Sequence, residues 1–291
     1  MWLLFAFLSA ALLGCYDVFK KHALRGNAVI PILFLNTLFC SIIFLPIVPQ
    51  VPFGGWEVQR YILLKSCIVL SSWLLGYFGM KHLPITLVGP INATRPVMVL
   101  LGALLFFGER LNIYQWIGVS LAIFSFFLLS RSGKREGIDF RHNRWIFCII
   151  GAAVLGALSG LYDKYLMASA QAGGVGLNRM TVQCYYNFYQ AGMMGTVLAV
   201  SRYVQKVQTP FQWRWSIPLI SLFLSIADFV YFYSLSLDGS MVSIVSMIRR
   251  GSVIVSFLFG AWVFREKNLL GKAIDLALVL LGMIFLFIGS R

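Results

Sequence analysis

Acidic side chains are scarce in this 291-residue chain: ten Asp and Glu stand against 24 Lys and Arg, and charged residues make up only 12%. Soluble domains carry roughly 25% charge, so a water-facing globule of this length would lack the polar surface to cover its core. Alternation of apolar and polar residues over ~10-residue segments is also missing, which argues against a membrane β-barrel. Histidine is limited to His22, His82 and His142, and no CxxC or His-Cys spacing links the single cysteines Cys15, Cys40, Cys67, Cys148 and Cys184. Metal ligation and a disulfide framework therefore have no support in the spacing. No Gly-rich phosphate loop occurs, nor any carboxylate pair at catalytic spacing, so ATP hydrolysis and enzyme chemistry find no footing and no cofactor is implied.

What the chain has is apolar length. Hydrophobic residues reach 59% and the mean hydropathy is +0.83. Apolar runs of ~17–25 residues predict ten transmembrane helices near 2–20, 29–48, 62–80, 84–106, 112–130, 145–167, 179–201, 216–236, 240–262 and 269–288. The first run, MWLLFAFLSAALLGC, lacks the basic stretch that opens a signal peptide and reads as the first span. The expected fold is all-α, a polytopic membrane protein whose partners are the lipid bilayer and a small-molecule metabolite.

The net charge of +14 suggests no nucleic acid, because the basic residues sit in short connections between apolar runs. The face reached after the odd-numbered helices holds most of them, including Lys20, Lys21, Arg25, Lys81, Arg131, Lys134, Arg135, Arg141, Arg144 and Lys272. The opposite face holds Arg60, Lys65, Arg110, Arg179 and Arg291. By the positive-inside rule the first face is cytoplasmic, which puts both termini outside the cytoplasm. The compact architecture suits a bacterial inner membrane.

The chain also repeats itself. Gly14-Cys15-Tyr16-Asp17-Val18-Phe19-Lys20 in the first helix aligns with Ser159-Gly160-Leu161-Tyr162-Asp163-Lys164 in the sixth, with Lys20 opposite Lys164. Asn36-Thr37 lies opposite Asn187-Phe188, Arg95 opposite Arg250, and Phe107-Gly108-Glu109-Arg110 opposite Phe264-Arg265-Glu266-Lys267. Five helices per copy is an odd number, so the two copies, 1–130 and 145–291 joined by the basic loop 131–144, must be inverted relative to one another. A homodimer is compatible with this arrangement, although two repeats already supply both halves of a cavity.

Five plus five helices, a lysine near the end of the first helix of each half, and Gly-Glu-Arg closing the fourth together resemble the EamA-like branch of the drug/metabolite transporter superfamily. Arg249-Arg250 is also similar to the Lys-Arg pair in the ninth helix of triose-phosphate and nucleotide-sugar transporters, where the pair contacts substrate phosphate. The resemblance implies a secondary transporter and an anionic solute.

The residues themselves point the same way. Ser246 to Ser256, SMIRRGSVIVS, sets Arg249 and Arg250 in an apolar helix-length run, and Asn92-Ala93-Thr94-Arg95-Pro96 carries the counterpart arginine. A charge at bilayer depth costs at least ~2.5–3.5 kcal/mol on insertion scales, so each guanidinium needs a counter-charge or an aqueous cavity. Inverted repeats place substrate near the bilayer midplane, and a guanidinium holds phosphate or carboxylate through two parallel hydrogen bonds. Arg95, Arg249 and Arg250 are therefore candidate substrate contacts, the alternative being a salt bridge to Asp228 or Asp17. Adjacent arginines diverge by about 100° on a helix, so one of the pair is expected to serve a structural partner. Asn92, Tyr186, Asn187, Gln190 and Tyr231 are candidate pocket residues able to surround an organic body and fix its polar end. Asp17 with Lys20, Asp163 with Lys164, and Asp228 are candidates for ion pairing or proton coupling. The solute could also be an amino acid, an amphipathic drug or a lipid-linked phosphate, and a membrane-embedded enzyme or receptor is the non-transport alternative.

Overall fold

The computed structural model describes residues 2–98, 101, 112–134, 138, 142–167, 173–204, 209–236, 248–264 and 269–289. Every regular element among them is helical. The α-helices are α1 (Trp2–Leu24), α2 (Val29–Phe44), α3 (Gly55–His82), α4 (Ile85–Ala93), α5 (Ile113–Lys134), α6 (Arg144–Met167), α7 (Arg179–Ala199), α8 (Ser216–Ser236), α9 (Ser252–Val263) and α10 (Leu269–Gly289). Helices suit such a sequence because each peptide group bonds within its own segment and none faces hydrocarbon unpaired. Five stretches, Leu3–Leu24, Val29–Gln50, Gly55–His82, Arg144–Asp163 and Leu269–Gly289, are long and apolar enough to cross a membrane. Glu109 and Glu266, with their basic neighbours, lie outside the described residues.

Turn chemistry sets several boundaries. A short 3₁₀ turn, Leu45–Gln50, with Pro46 near its start and Pro49 inside, ends α2. Gly54 (φ 72°) and Gly55 (φ 76°) then adopt the left-handed conformation that admits α3. Pro84 stops α3, and Lys21 Nζ caps its end, donating to the Met80 carbonyl at 2.6 Å and to that of Leu83.

The fourth and ninth helices are interrupted where continuous spans were expected. Pro90 inside α4 has no N–H to offer, and Pro96 constrains the residues just beyond. Thr94 closes a tight turn in which its N–H and Oγ1 both donate to the Ile91 carbonyl, at 3.2 and 2.7 Å. In the second half the Gly251 N–H donates to the Ile248 carbonyl at 2.8 Å, in a matching turn just before α9. Arg95 follows the first turn and Arg250 precedes the glycine of the second.

Helices of the two halves pack in pairs: α1 on α8 and α9, α2 on α7 and α8, α3 on α6, α4 on α9, and α5 on α10. Small residues bring them close, as helix contacts in lipid require. A Cβ at Gly118 would lie 2.7 Å from the Gly282 carbonyl, so α5 and α10 touch backbone to backbone. Gly79 seats Ile149 in the α3–α6 seam, Gly14 seats Val255 between α1 and α9, and Gly260 seats Ile85 between α9 and α4. Hydroxyls add cross-helix bonds to main-chain carbonyls: Ser9 to Ala227 at 2.7 Å, Ser41 to Asn187 at 2.9 Å and Ser72 to Ala152 at 2.7 Å.

Three lysines depart from the basic-face count, the first being Lys20, 8% exposed within α1. Lys65, expected on the face opposite the basic one, is 6% exposed inside α3. Lys272, expected on the basic face, is fully buried in α10 and donates to Thr86 Oγ1 at 2.9 Å. Removing all three from the loop count leaves the basic bias on the same face.

Candidate functional site

Between the packed pairs lies a cavity of about 750 Å³ walled by α1, α3, the end of α4, α6, α7, α8 and the turn before α9. Pockets for small organic ligands run from ~300 to 1,000 Å³. The wall carries five cations, Lys20, Lys65, Arg95, Arg249 and Arg250, and three carboxylates, Asp17, Asp163 and Asp228. Asn92, Tyr186 and Tyr231 line it as well.

Each carboxylate is claimed by one cation. Lys20 Nζ donates to Asp17 Oδ1 at 2.7 Å, one turn away on α1. Asp163 is paired with Lys65 across the α3–α6 seam and Asp228 with Arg249. Asp163, expected beside Lys164, has a partner on another helix, and the side chain of Lys164 lies outside those described. Every pair is also backed by a tyrosine face. Lys20 Nζ stands 4.4 Å from the Tyr16 ring centroid and 5.3 Å from that of Tyr77, Lys65 Nζ 5.6 Å from Tyr186, and the Arg249 guanidinium 4.3 Å from Tyr231. Such contacts stabilise a desolvated cation by ~2 kcal/mol.

Arg95 and Arg250 have no such carboxylate among the described residues. Arg95 donates to Asn92 Oδ1 at 3.1 Å, its Nε is buried without a partner among the described residues, and its guanidinium packs against Gly156. Arg250 makes no hydrogen bond or ion pair among the described residues.

Two candidates sit elsewhere. Asn187 is 2% exposed in the α2–α7 seam, donating to the Gln183 carbonyl at 2.9 Å. Gln190 is fully buried one turn further on, and neither amide atom has a partner among the described residues. Sequence reasoning missed Lys65, Trp73, Tyr77 and Gln183, all on the wall. Gln183 stands three residues before Tyr186, on the same helix face, and that spacing could have found it.

The EamA-like transporter family matches residues 1–131. An uncharacterized transporter in the cobO 3'region of Sinorhizobium sp is 29% identical over 129 residues, covering 41% of this chain and 89% of that protein. A probable 4-amino-4-deoxy-L-arabinose-phosphoundecaprenol flippase subunit ArnE of Aeromonas salmonicida is 30% identical over 77 residues. That match spans 26% of this chain and 63% of the subunit, under two thirds of its length. A solved crystal structure superposes with a TM-score of 0.63 at 14% identity, over 98% of this chain and 96% of that one, which is a likeness of fold alone. The chain has several helices apolar and long enough to cross a membrane, and its residues 1–131 are similar to the EamA-like transporter family of the drug/metabolite transporter superfamily.

Proposed function

We propose that this protein is a secondary transporter, working without ATP, for a small organic metabolite whose phosphate or carboxylate engages Arg250 and Arg95. One observation carries the reading: in a cavity where every described carboxylate is already held by a cation, these two guanidiniums line the space without one among the described residues. A permanent unpaired charge at that depth is costly, and a site that receives an anion and releases it again gives the charge a purpose. Transport proceeds by alternating access between two inverted five-helix repeats. The helix pairing supports this, since α3 on α6 and α8 on α1 are the same contact under exchange of halves, while α2–α7, α4–α9 and α5–α10 each join equivalent helices. The interrupted helices beside Arg95 and Arg250 suit a midplane substrate site. The basic face is cytoplasmic, and the membrane is a bacterial inner membrane.

A second reading is translocation of a lipid-linked phosphate, favoured by the flippase subunit among the relatives; there the arginines meet a headgroup. The test is uptake into proteoliposomes of phosphorylated, carboxylated and zwitterionic metabolites, comparing wild type with Arg250→Gln. Anion flux lost in the variant supports the proposal. Flux of neutral or cationic solutes alone, unchanged in the variant, rejects it.

A further inference from the structure

The charges around the cavity do not cancel. Among the described lining residues three ion pairs neutralise Asp17, Asp163 and Asp228, and two positive charges remain, on Arg95 and Arg250. A cavity that closes around its cargo within the bilayer reaches low energy only when little net charge is sealed inside. A zwitterion adds none to the balance, and a monocarboxylate or a phosphodiester adds one negative charge and leaves one guanidinium over. A terminal phosphate brings about −1.5 to −2 at neutral pH and three acceptor oxygens on one atom, enough for two guanidinium forks.

We propose that the solute is a phosphomonoester, its doubly charged head held between Arg95 and Arg250. This rests on the anion-transport reading above and narrows it. The rest of the wall fits an organic body: the rings of Trp73, Tyr77 and Tyr186 offer flat apolar faces. Gln183 is 4% exposed, and its side chain makes no hydrogen bond among the described residues, so its amide is available to a hydroxyl or amino group of the solute. The phosphomonoester could be a free metabolite or the end group of a lipid. A sugar joined to a lipid through phosphate is a diester with a single negative charge, and it does not satisfy the balance.

The test compares ligands that share one body, using purified full-length protein in neutral detergent, buffered well above the second phosphate pKa of about 6. Calorimetry with phenyl phosphate, methyl phenyl phosphate, benzoate and benzylamine reads the charge preference, and farnesyl phosphate reads the source. The expected result is phenyl phosphate binding at least about tenfold more tightly than its methyl ester, a difference of about 1.4 kcal/mol. Arg95→Gln leaves one net positive charge and brings that ratio toward one, whereas Arg95→Lys keeps it; the wild-type ratio decides the matter even where a variant fails to fold. Farnesyl phosphate binding more tightly than phenyl phosphate assigns the monoester to a lipid, and the reverse assigns it to a soluble metabolite. Equal binding of monoester and diester, both lost in Arg250→Gln, overturns this proposal and leaves the anion reading standing. Binding of benzoate with no phosphate overturns this proposal and leaves the anion reading standing; binding of benzylamine alone, or of none of these ligands, overturns both.

Discussion

Gly156 on α6 and Arg95 beyond α4 are in contact so close that a Cβ at residue 156 would lie 2.8 Å from the Arg95 Cζ. The glycine is a seat for the guanidinium, and the two residues are 61 positions apart in the chain. The obstructing atom is the far end of a flexible side chain, so the fold can absorb a methyl group where the position of Arg95 cannot. Gly156→Ala is expected to leave thermal stability near that of wild type and to lower anion flux by about tenfold, equal to about 1.4 kcal/mol. Unaltered flux in proteoliposomes would show that the placement of Arg95 does not matter.

Arg249 and Asp228 are both largely buried, with side chains 21% and 16% exposed. Asp228→Asn removes the counter-charge and leaves the guanidinium unpaired, a loss of about 3 kcal/mol. The double replacement Arg249→Met with Asp228→Leu removes both charges and is expected to recover most of that loss. Unfolding in detergent followed by circular dichroism measures both, and a double variant no better than the single one contradicts the pairing.

The backbone contact of α5 with α10 depends on Gly118 and Gly282, each of which would place a Cβ within 3.0 Å of the other's carbonyl. A side chain has nowhere to go there, since the obstacle is main chain. Gly282→Leu is expected to cost at least about 1–3 kcal/mol by overpacking, read as a lowered melting temperature. Substitution at Gly192, with open space where its Cβ would be, serves as the tolerant control.

The distribution of Lys and Arg predicts that the C-terminus lies on the non-cytoplasmic side. Fusions of alkaline phosphatase and of green fluorescent protein after residue 291 test this, the first being active only outside the cytoplasm and the second fluorescent only within it. Fluorescence from the second fusion reverses the orientation.

Apolar length made the helices legible in advance, and their described boundaries follow the Pro and Gly punctuation at Pro49, Gly54 and Pro84. The interruptions at Thr94 and Gly251 were hidden because hydropathy does not register a missing N–H. The depth of Lys65 is hidden for a related reason: the apolar run starts near residue 62, whereas α3 begins at Gly55 and carries the lysine a further two turns into the structure. Nothing local announces its partner Asp163, 98 positions away. On α7 the sequence shows that Tyr186 and Gln190 share a face, but not how far along that face the cavity extends, and it ends before Gln190. Long-range pairing and cavity depth are properties of the packed bundle, and a single sequence carries them only weakly.

The engagement of Asp17, Asp163 and Asp228 by cations has a pharmacological consequence. Quaternary ammonium compounds and lipophilic cationic dyes, the usual probes for multidrug efflux, find no uncommitted acid to anchor them among the described residues of the cavity wall. Cells expressing this protein should gain no resistance to such compounds, and blockers are better sought among sulfonated or phosphonated aromatics than among amines.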